Sequence, residues 1–287
     1  MWIFAAVFSA VFAGFTAILS KCGIKNANPD VATAVRTSVV LVFAWIIVFV
    51  TGSYRTLAET DVKSLLFLLL SGLSTGASWI CYFKALSLGE VSKVAAVDKS
   101  SVVFSVLFAI VFLGEREHWL LKLFCLALIA AGTYLMSGVK RGGERKNLRW
   151  LFYALLSALF AAATSSLAKL GIERVDSNAA TAIRTSVVLA MAWLIVVCRK
   201  ETHFVRELKG REAGFLVLSG IATGASWLCY FYAIQNGQVS IVVPIDKMSI
   251  VITVLFSFFV FGERISKRAA FGLFLMLAGT LAMAIWT

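Results

Sequence analysis

Residues 32–41 read ATAVRTSVVL, and residues 180–189 repeat them as ATAIRTSVVL with one substitution. The motif TGASWICYF at residues 75–83 returns as TGASWLCYF at residues 223–231. Both pairs are 148 positions apart, and Asp98-Lys99 returns as Asp246-Lys247 at the same offset. A constant offset across motifs of this length indicates an internal duplication.

The duplication predicts a domain organisation of two similar copies. We expect a first five-helix repeat over residues 1–137, a basic linker over residues 138–149 and a second five-helix repeat over residues 150–287. The linker contains the run KRGGERKNLR, which is the most polar stretch between the two copies.

The composition excludes a water-soluble domain. Hydrophobic residues make up 60 % of the 287 residues, and charged residues make up 15 %, where soluble domains carry about 25 %. Apolar stretches long enough to span a bilayer lie near 2–20, 31–51, 64–87, 92–113, 119–137, 150–168, 179–198, 213–234, 239–261 and 268–286. We therefore expect an all-α integral membrane protein with ten transmembrane helices.

Five spans in each copy have a topological consequence. Because five is odd, the chain enters the second copy from the opposite side of the membrane, so the two five-helix repeats must be inverted. Inverted repeats around a site near the membrane midplane are the usual architecture of secondary transporters.

The net charge of +12 is interpreted as a topology signal, since no nucleic-acid motif is present. Most Lys and Arg residues outside the spans lie on the linker's side of the membrane, which predicts a cytoplasmic linker and termini outside. The cysteines are scattered without metal-ligand spacing. No catalytic arrangement or phosphate loop appears, so we expect neither an enzyme nor a bound metal or cofactor.

The third span of each copy carries a polar stripe on one helical face. Ser71, Thr75, Ser78 and Tyr82 form it in the first copy, and Ser219, Thr223, Ser226 and Tyr230 form it in the second. Two alternatives remain open for the stripe: hydrogen bonding between helices, or the lining of a cavity. Trp79 and Trp227 lie beside it. The nearby Gly-x-x-x-Gly spacings favour close helix packing.

Ionisable residues inside the spans are the sharper functional signal, because a charge in hydrocarbon is costly unless it is paired or solvated. Arg36, Asp98 and Lys99 are expected at similar depth in the first copy, as are their counterparts Arg184, Asp246 and Lys247 in the second. Lys21, Lys84 and Lys169 add positive charge near the mouths. The clusters suggest a path for an anionic or zwitterionic solute; the alternative is structural Arg–Asp salt bridges with lysines that reach the headgroups.

The repeats, the early arginine of span two, the CYF ends of span three and Gly114-Glu115-Arg116 resemble the EamA family of the drug/metabolite transporter superfamily. The resemblance covers nearly the whole chain. It implies ten helices around a central cavity, with exporters of amino acids or metabolites as frequent members. It also implies cytoplasmic termini, opposite to the Lys and Arg distribution, and a proline early in spans four and nine, which Pro244 matches and Ala96 does not.

Together these patterns predict a multi-pass cell-membrane transporter, an exporter of a small amino-acid-like, anionic or zwitterionic solute. The alternative is a membrane scaffold or lipid-binding subunit. Protons are the expected coupling ion, membrane lipid is the surrounding partner, a monomer suffices and a dimer is compatible. The candidate binding residues are Arg36, Ser78, Trp79, Tyr82, Asp98, Lys99, Arg184, Ser226, Trp227, Tyr230, Asp246 and Lys247.

Overall fold

A computed structural model describes residues 1–23, 28–57, 60–88, 94, 97–98, 100–136, 149–208, 210–261 and 266–286. The α-helices in these residues are α1 Trp2–Gly23, α2 Pro29–Thr51, α3 Val62–Leu88, α4 Ser101–Phe112, α5 Trp119–Met136, α6 Arg149–Ile172, α7 Ser177–Cys198, α8 Gly210–Asn236, α9 Val239–Lys247, α10 Ser249–Phe261 and α11 Lys267–Trp286. Two short 3-10 helices cover Ser53–Leu57 and Thr202–Val205, and the described residues contain no strand. The all-α prediction is confirmed for them.

Helices α2 and α7 begin at side chains that satisfy free backbone N–H groups. Asn28 accepts hydrogen bonds from the N–H groups of Asp30 and Val31, and Asp176 does the same for Asn178 and Ala179. These two caps are 148 residues apart, so the repeat extends to the helix termini.

The helices have the length and composition of membrane spans. Eight candidate spans lie in the described residues, with two shorter apolar helices at Ser101–Phe112 and Trp119–Leu135. Large apolar side chains such as Phe4, Val50 and Phe274 are exposed on the helix surfaces. Such surfaces suit lipid contact rather than water, so the protein is a multi-pass membrane protein.

The described chain divides into two compact units that do not coincide with the two sequence copies. The first unit, Met1–Gly76 with Leu167–Gly237, contains α1, α2, α7, α8 and parts of α3 and α6. In it, α1 packs on α8, α2 packs on α7 and α8, and α7 packs on α8.

The arrangement of α2 and α7 in the first unit follows from contacts at both ends. Arg199, just after α7, forms an ion pair with Asp30 at the start of α2. Asn178, at the start of α7, donates to the Ser53 hydroxyl just after α2 over 3.5 Å. The second spans of the two copies therefore run antiparallel.

The second unit comprises Ala77–Ser166 and Gln238–Thr287. In it, α5 packs on α11, and α9 packs on α4 and α11. Gly132 allows the close approach of α11, because a Cβ there would lie 2.4 Å from the Gly272 carbonyl oxygen. Linker residues 138–148 lie outside the described residues, so the predicted domain limits stay a prediction.

Span nine is interrupted, which differs from the single helix expected over residues 239–261. Helix α9 ends at Lys247, and Met248 forms a turn before α10, with its N–H bonded to the Ile245 carbonyl at 2.9 Å. In span four, Ser100 forms a similar turn before α4 and bonds the Val97 carbonyl at 3.0 Å. Pro244, which has no counterpart in the first copy, lies inside α9 and not at the turn. Because the turns at Met248 and Ser100 occupy equivalent positions in the two copies, they do not depend on this proline.

Candidate functional site

Arg184 is a buried cation on α7, with 1 % of its surface exposed. Its Nε donates to the Ser71 hydroxyl at 3.4 Å, and its Nη2 donates to the Thr75 hydroxyl at 3.0 Å. Its Nη1 is buried and has no hydrogen-bond partner among the described residues. The polar stripe of the first copy thus holds the arginine of the second copy and leaves one donor nitrogen open.

Two aromatic rings of α8 cover the Arg184 guanidinium. Its central carbon lies 4.1 Å from the centre of the Phe231 ring and 5.2 Å from the centre of the Trp227 ring. The Tyr230 ring contacts Phe231 edge to face, with the ring centres 5.0 Å apart. The predicted residues Arg184, Trp227 and Tyr230 are therefore brought together. Phe231 was missed, although it ends the CYF motif noted in the sequence.

Gly72 allows this arrangement, because it lets α3 approach α7. A Cβ at Gly72 would lie 2.7 Å from the Val187 Cβ and 2.9 Å from the Arg184 carbonyl oxygen. Gly220 does the same for α8 and α2, with a Cβ 2.6 Å from the Val39 Cβ. The predicted packing role of these glycines is confirmed.

Arg36 has a different environment. It is partly buried, and its Nη1 donates to the Ser20 hydroxyl at 3.0 Å. The Ser20 oxygen lies 2.7 Å from the Ser219 hydroxyl, which in turn donates to the Thr16 carbonyl at 3.2 Å. A serine thus stands between Arg36 and the polar stripe of the second copy.

Other stripe serines join helices to each other. Ser226 donates to the Ser9 carbonyl at 3.0 Å, and Ser78 donates to the Ser157 carbonyl at the same distance. In the second unit the Ser157 hydroxyl donates to Asp98 at 2.9 Å. Of the two alternatives for the stripe, these contacts favour helix packing at Ser78 and Ser226, whereas Thr75 holds Arg184.

The remaining candidates are less closely grouped. Tyr82 packs against the buried cluster of Ala85, Val94 and Ala154 in the second unit, and Trp79 is partly buried. Asp246 is partly buried at the end of α9, and Lys247 is exposed. Lys99 lies outside the described residues. Arg36 and Arg184 belong to the first unit and both aspartates to the second, and the Arg–Asp pairings stay predictions.

A comparison with models of known protein families identifies the family of this chain. The model of the EamA-like transporter family matches residues 1–138 and again residues 148–285. The chain belongs to the EamA-like transporter family. The two matches cover nearly the whole chain, and this EamA-like protein is a membrane transporter located in the cell membrane. The family points to a transporter rather than an enzyme.

Two individual proteins are also similar to this chain. This EamA-like chain is 44 % identical over 136 residues to an uncharacterized transporter in the cobO 3' region of Sinorhizobium sp., which is 47 % of this chain and 96 % of that protein. It is also similar to a protein of known crystal structure, with a TM-score of 0.76, 19 % identity and coverage of 98 % of this chain and 95 % of that one. The second likeness concerns the fold alone.

Lys169 of the EamA-like chain holds a helix end together. Its ammonium donates to the carbonyl oxygens of Ile234, Gln235 and Gly237 at 2.7, 3.1 and 2.9 Å. A cation at the carboxyl end of α8 satisfies carbonyls that have no partner within the helix. The sequence predicted that Lys169 lies near the mouth of a solute path or reaches lipid headgroups. Neither prediction included this contact with the carbonyl groups of α8. Lys84 is exposed, and the Lys21 side chain lies outside the described residues.

Glu115 follows Gly114, which has a φ of 72°. The Glu115 carboxylate accepts hydrogen bonds from the Val239 and Ser240 N–H groups at 2.7 and 2.9 Å. It therefore caps the amino terminus of α9, where a negative charge is favourable. Lys122 supports the same end, because its ammonium bonds the Gln238 side-chain oxygen at 2.7 Å.

Proposed function

We propose that this protein is a secondary transporter that exports a small organic solute, amino-acid-like or otherwise anionic or zwitterionic. The observation that carries the proposal is the Arg184 guanidinium, which is buried against the rings of Phe231 and Trp227 with Nη1 unpartnered among the described residues. A buried cation costs several kcal/mol unless a counter-charge or hydrogen bonds offset it. An anionic group of a passing solute supplies both.

The proposed mechanism is alternating access between two inverted five-helix repeats that together form ten transmembrane helices. The antiparallel course of α2 and α7 supports it, since these are the second spans of the two copies. Inverted repeats give one site two similar routes, one to each side of the membrane. Arg36 occupies the equivalent position in the first copy and is the second candidate for solute contact.

Proton coupling is the proposed driving force, with Asp98 and Asp246 as the groups that carry the proton. The hydrogen bond from Ser157 to Asp98 supports this role, because it holds the carboxylate of Asp98 in a fixed orientation. Carboxylates inside membrane spans are the usual proton carriers of pumps and transporters.

The direct test is export of a radiolabelled panel of amino acids and monocarboxylates from proteoliposomes. We expect Arg184→Gln to lower export at least about tenfold, which corresponds to one charged hydrogen bond. Arg36→Gln is the parallel variant, and exposed Arg174→Gln is the matched control that keeps wild-type export. Correctly folded Arg184→Gln with wild-type rates contradicts the site.

Proton coupling is tested separately in the same vesicles. We expect Asp98→Asn and Asp246→Asn to lose the acceleration that an imposed pH gradient produces, while exchange without a gradient continues. If both variants respond to the gradient as the wild type does, these carboxylates are not the proton carriers.

The alternative function is a membrane scaffold or lipid-binding subunit, in which the polar stripes only pack helices. The paired serines Ser226–Ser9 and Ser78–Ser157 favour packing at those positions. A scaffold does not require an unpartnered buried guanidinium, so Arg184 separates the two functions. Absence of export for every panel solute, in vesicles that contain folded protein, favours the scaffold.

A further inference from the structure

The two arginines differ because one residue differs between the copies. Ser20 follows Thr16 in the first copy by four positions, and Ala168 follows Thr164 in the second by the same distance. Ser20 and Ala168 are 148 residues apart, as are Arg36 and Arg184. The hydroxyl that Arg36 contacts is therefore replaced by a methyl group in the second copy.

Ala168 lies where it can exert this effect. A Cβ built at Gly171 of α6 would lie 2.8 Å from the Leu68 Cγ of α3, so these two helices touch at that level. Ala168 is one turn earlier on α6 and fully buried, and Ser71 is one turn later on α3. The equivalent residues around Arg36 are Ser20 on α1 and Ser219 on α8, and their hydroxyl oxygens lie 2.7 Å apart.

The consequence is a difference in hydrogen bonding at the two guanidinium groups. Arg36 Nη1 donates to Ser20, whereas Arg184 reaches the stripe hydroxyls through Nε and Nη2. A methyl group at Ala168 accepts no hydrogen bond, so Arg184 Nη1 stays unpartnered among the described residues. We infer that Arg184 is the principal anion-binding arginine, that Ala168 keeps it available, and that it takes a single carboxylate group. This inference rests on the proposed transport function.

The charge available at the site favours a monoanion. Arg184 presents one positive charge, whereas Arg36 Nη1 already bonds the Ser20 hydroxyl. Lys169 is held by three carbonyl oxygens at the end of α8. A carboxylate carries one negative charge and two acceptor oxygens, which matches one guanidinium. A phosphate monoester carries nearly two negative charges at neutral pH and needs a further cation. The rings of Phe231 and Trp227 favour an apolar group next to the carboxylate.

The test uses sodium benzoate and inorganic phosphate as probes of the purified full-length protein in nanodiscs. Binding is measured from the dependence of the thermal unfolding midpoint on probe concentration, since a ligand of the folded state raises the midpoint. We expect benzoate to raise the midpoint and phosphate at equal concentration to raise it much less. Equal stabilisation by phosphate, or no stabilisation by benzoate, overturns the monoanion assignment.

The role of Ala168 is tested by Ala168→Ser, which restores the hydroxyl found in the first copy. We expect benzoate affinity to fall about tenfold, because the new hydroxyl accepts the bond from Nη1 that the anion otherwise receives. Ala162→Ser is the matched control, a fully buried alanine on the same helix. Ala168→Cys controls for volume, because a thiol is a weak hydrogen-bond acceptor. The cysteine variant should bind benzoate more tightly than Ala168→Ser does. If the serine variant unfolds, the benzoate affinity of the cysteine variant is compared with that of Ala162→Ser.

The outcomes separate this inference from the proposed function. If Ala168→Ser binds benzoate as tightly as Ala162→Ser does, the inference is overturned, while solute export by the wild type leaves the proposed function standing. If Arg184→Gln exports solutes at wild-type rates, the Arg184 site and this inference fail, while transport itself stands. If the folded wild type exports no solute of the panel, the proposed function fails.

Discussion

The Ser226 hydroxyl donates to the Ser9 carbonyl oxygen over 3.0 Å, which joins the third span of the second copy to the first span of the first copy. Ser78 and Ser157, each 148 positions from one member of that pair, form the same bond at the same distance. The copies are therefore interleaved, with polar residues of each bonded to the other. Hydrogen bonds of this kind fix helix pairing in lipid, where apolar surface gives no preference between partners.

Cysteine substitution measures whether these serines pack helices or face water. We expect Ser226→Cys and Ser78→Cys, in a background without the native cysteines, to resist a water-soluble maleimide, because the serines are only 4 % and 7 % exposed. Lys84→Cys is the exposed control and should react quickly. Labelling of Ser226→Cys at the control's rate would place this residue in a water-filled cavity.

Removal of the Glu115 carboxylate should destabilise the amino end of α9. Glu115→Gln leaves one neutral acceptor oxygen and places an NH2 donor opposite the other backbone N–H, so one of the two hydrogen bonds is weakened and the other is lost. We expect a loss of about 1–2 kcal/mol in the free energy of unfolding. The measurement is denaturant unfolding in detergent. Glu207→Gln, an exposed glutamate in the first unit, is the control. A Glu115 variant as stable as this control shows that the cap contributes nothing.

A methyl group at Gly72 should disturb both packing and the arginine site. We expect Gly72→Ala to cost about 1–3 kcal/mol, since its Cβ would overlap Val187 and the Arg184 carbonyl. Gly214→Ala is the matched control, because nothing lies within 4 Å of its Cβ, and its better helix propensity stabilises α8 by up to about 1 kcal/mol. Thermal unfolding of both variants checks the difference, and similar midpoints contradict the close contact.

Glu201 predicts a pH dependence of stability. Burial and then the neighbouring Asp30 raise the pKa of Glu201, and Arg199 opposes them only in part. Between the ordinary pKa and the raised one, the folded state binds more protons than the unfolded state, so stability falls as pH rises through this window. At higher pH the ionised carboxylate remains a cost.

The variant Glu201→Gln removes this titration. We expect it to be more stable than the wild type at neutral pH, with the difference shrinking as the pH falls toward the ordinary pKa of a glutamate. Thermal midpoints measured between about pH 5 and pH 8 check the trend, with exposed Glu207→Gln as the control. A difference in midpoint between Glu201→Gln and the wild type that stays constant across this range would show that Glu201 does not cause the pH dependence.

Much of the architecture was predictable from the sequence. The apolar stretches correspond to helices because bilayer thickness sets the length of a spanning segment. The sequence did not predict turns at Ser100 and Met248 in the two copies, because these positions carry no glycine or proline signal of their own. The sequence identified an arginine within a span, Arg184, and two aromatic residues within a span, Trp227 and Tyr230. It did not predict that the Arg184 guanidinium lies beside the aromatic rings of α8.

The sequence by itself determined that the chain is a duplicated, membrane-spanning helical protein with an arginine inside each second span. Hydropathy and repetition are local properties that can be read along the chain. Only the tertiary structure decided that Arg184 contacts Ser71, Thr75 and Phe231, and that Glu115 caps α9. These partners lie far apart in sequence, and helix periodicity specifies which face is polar but not which helix that face will meet.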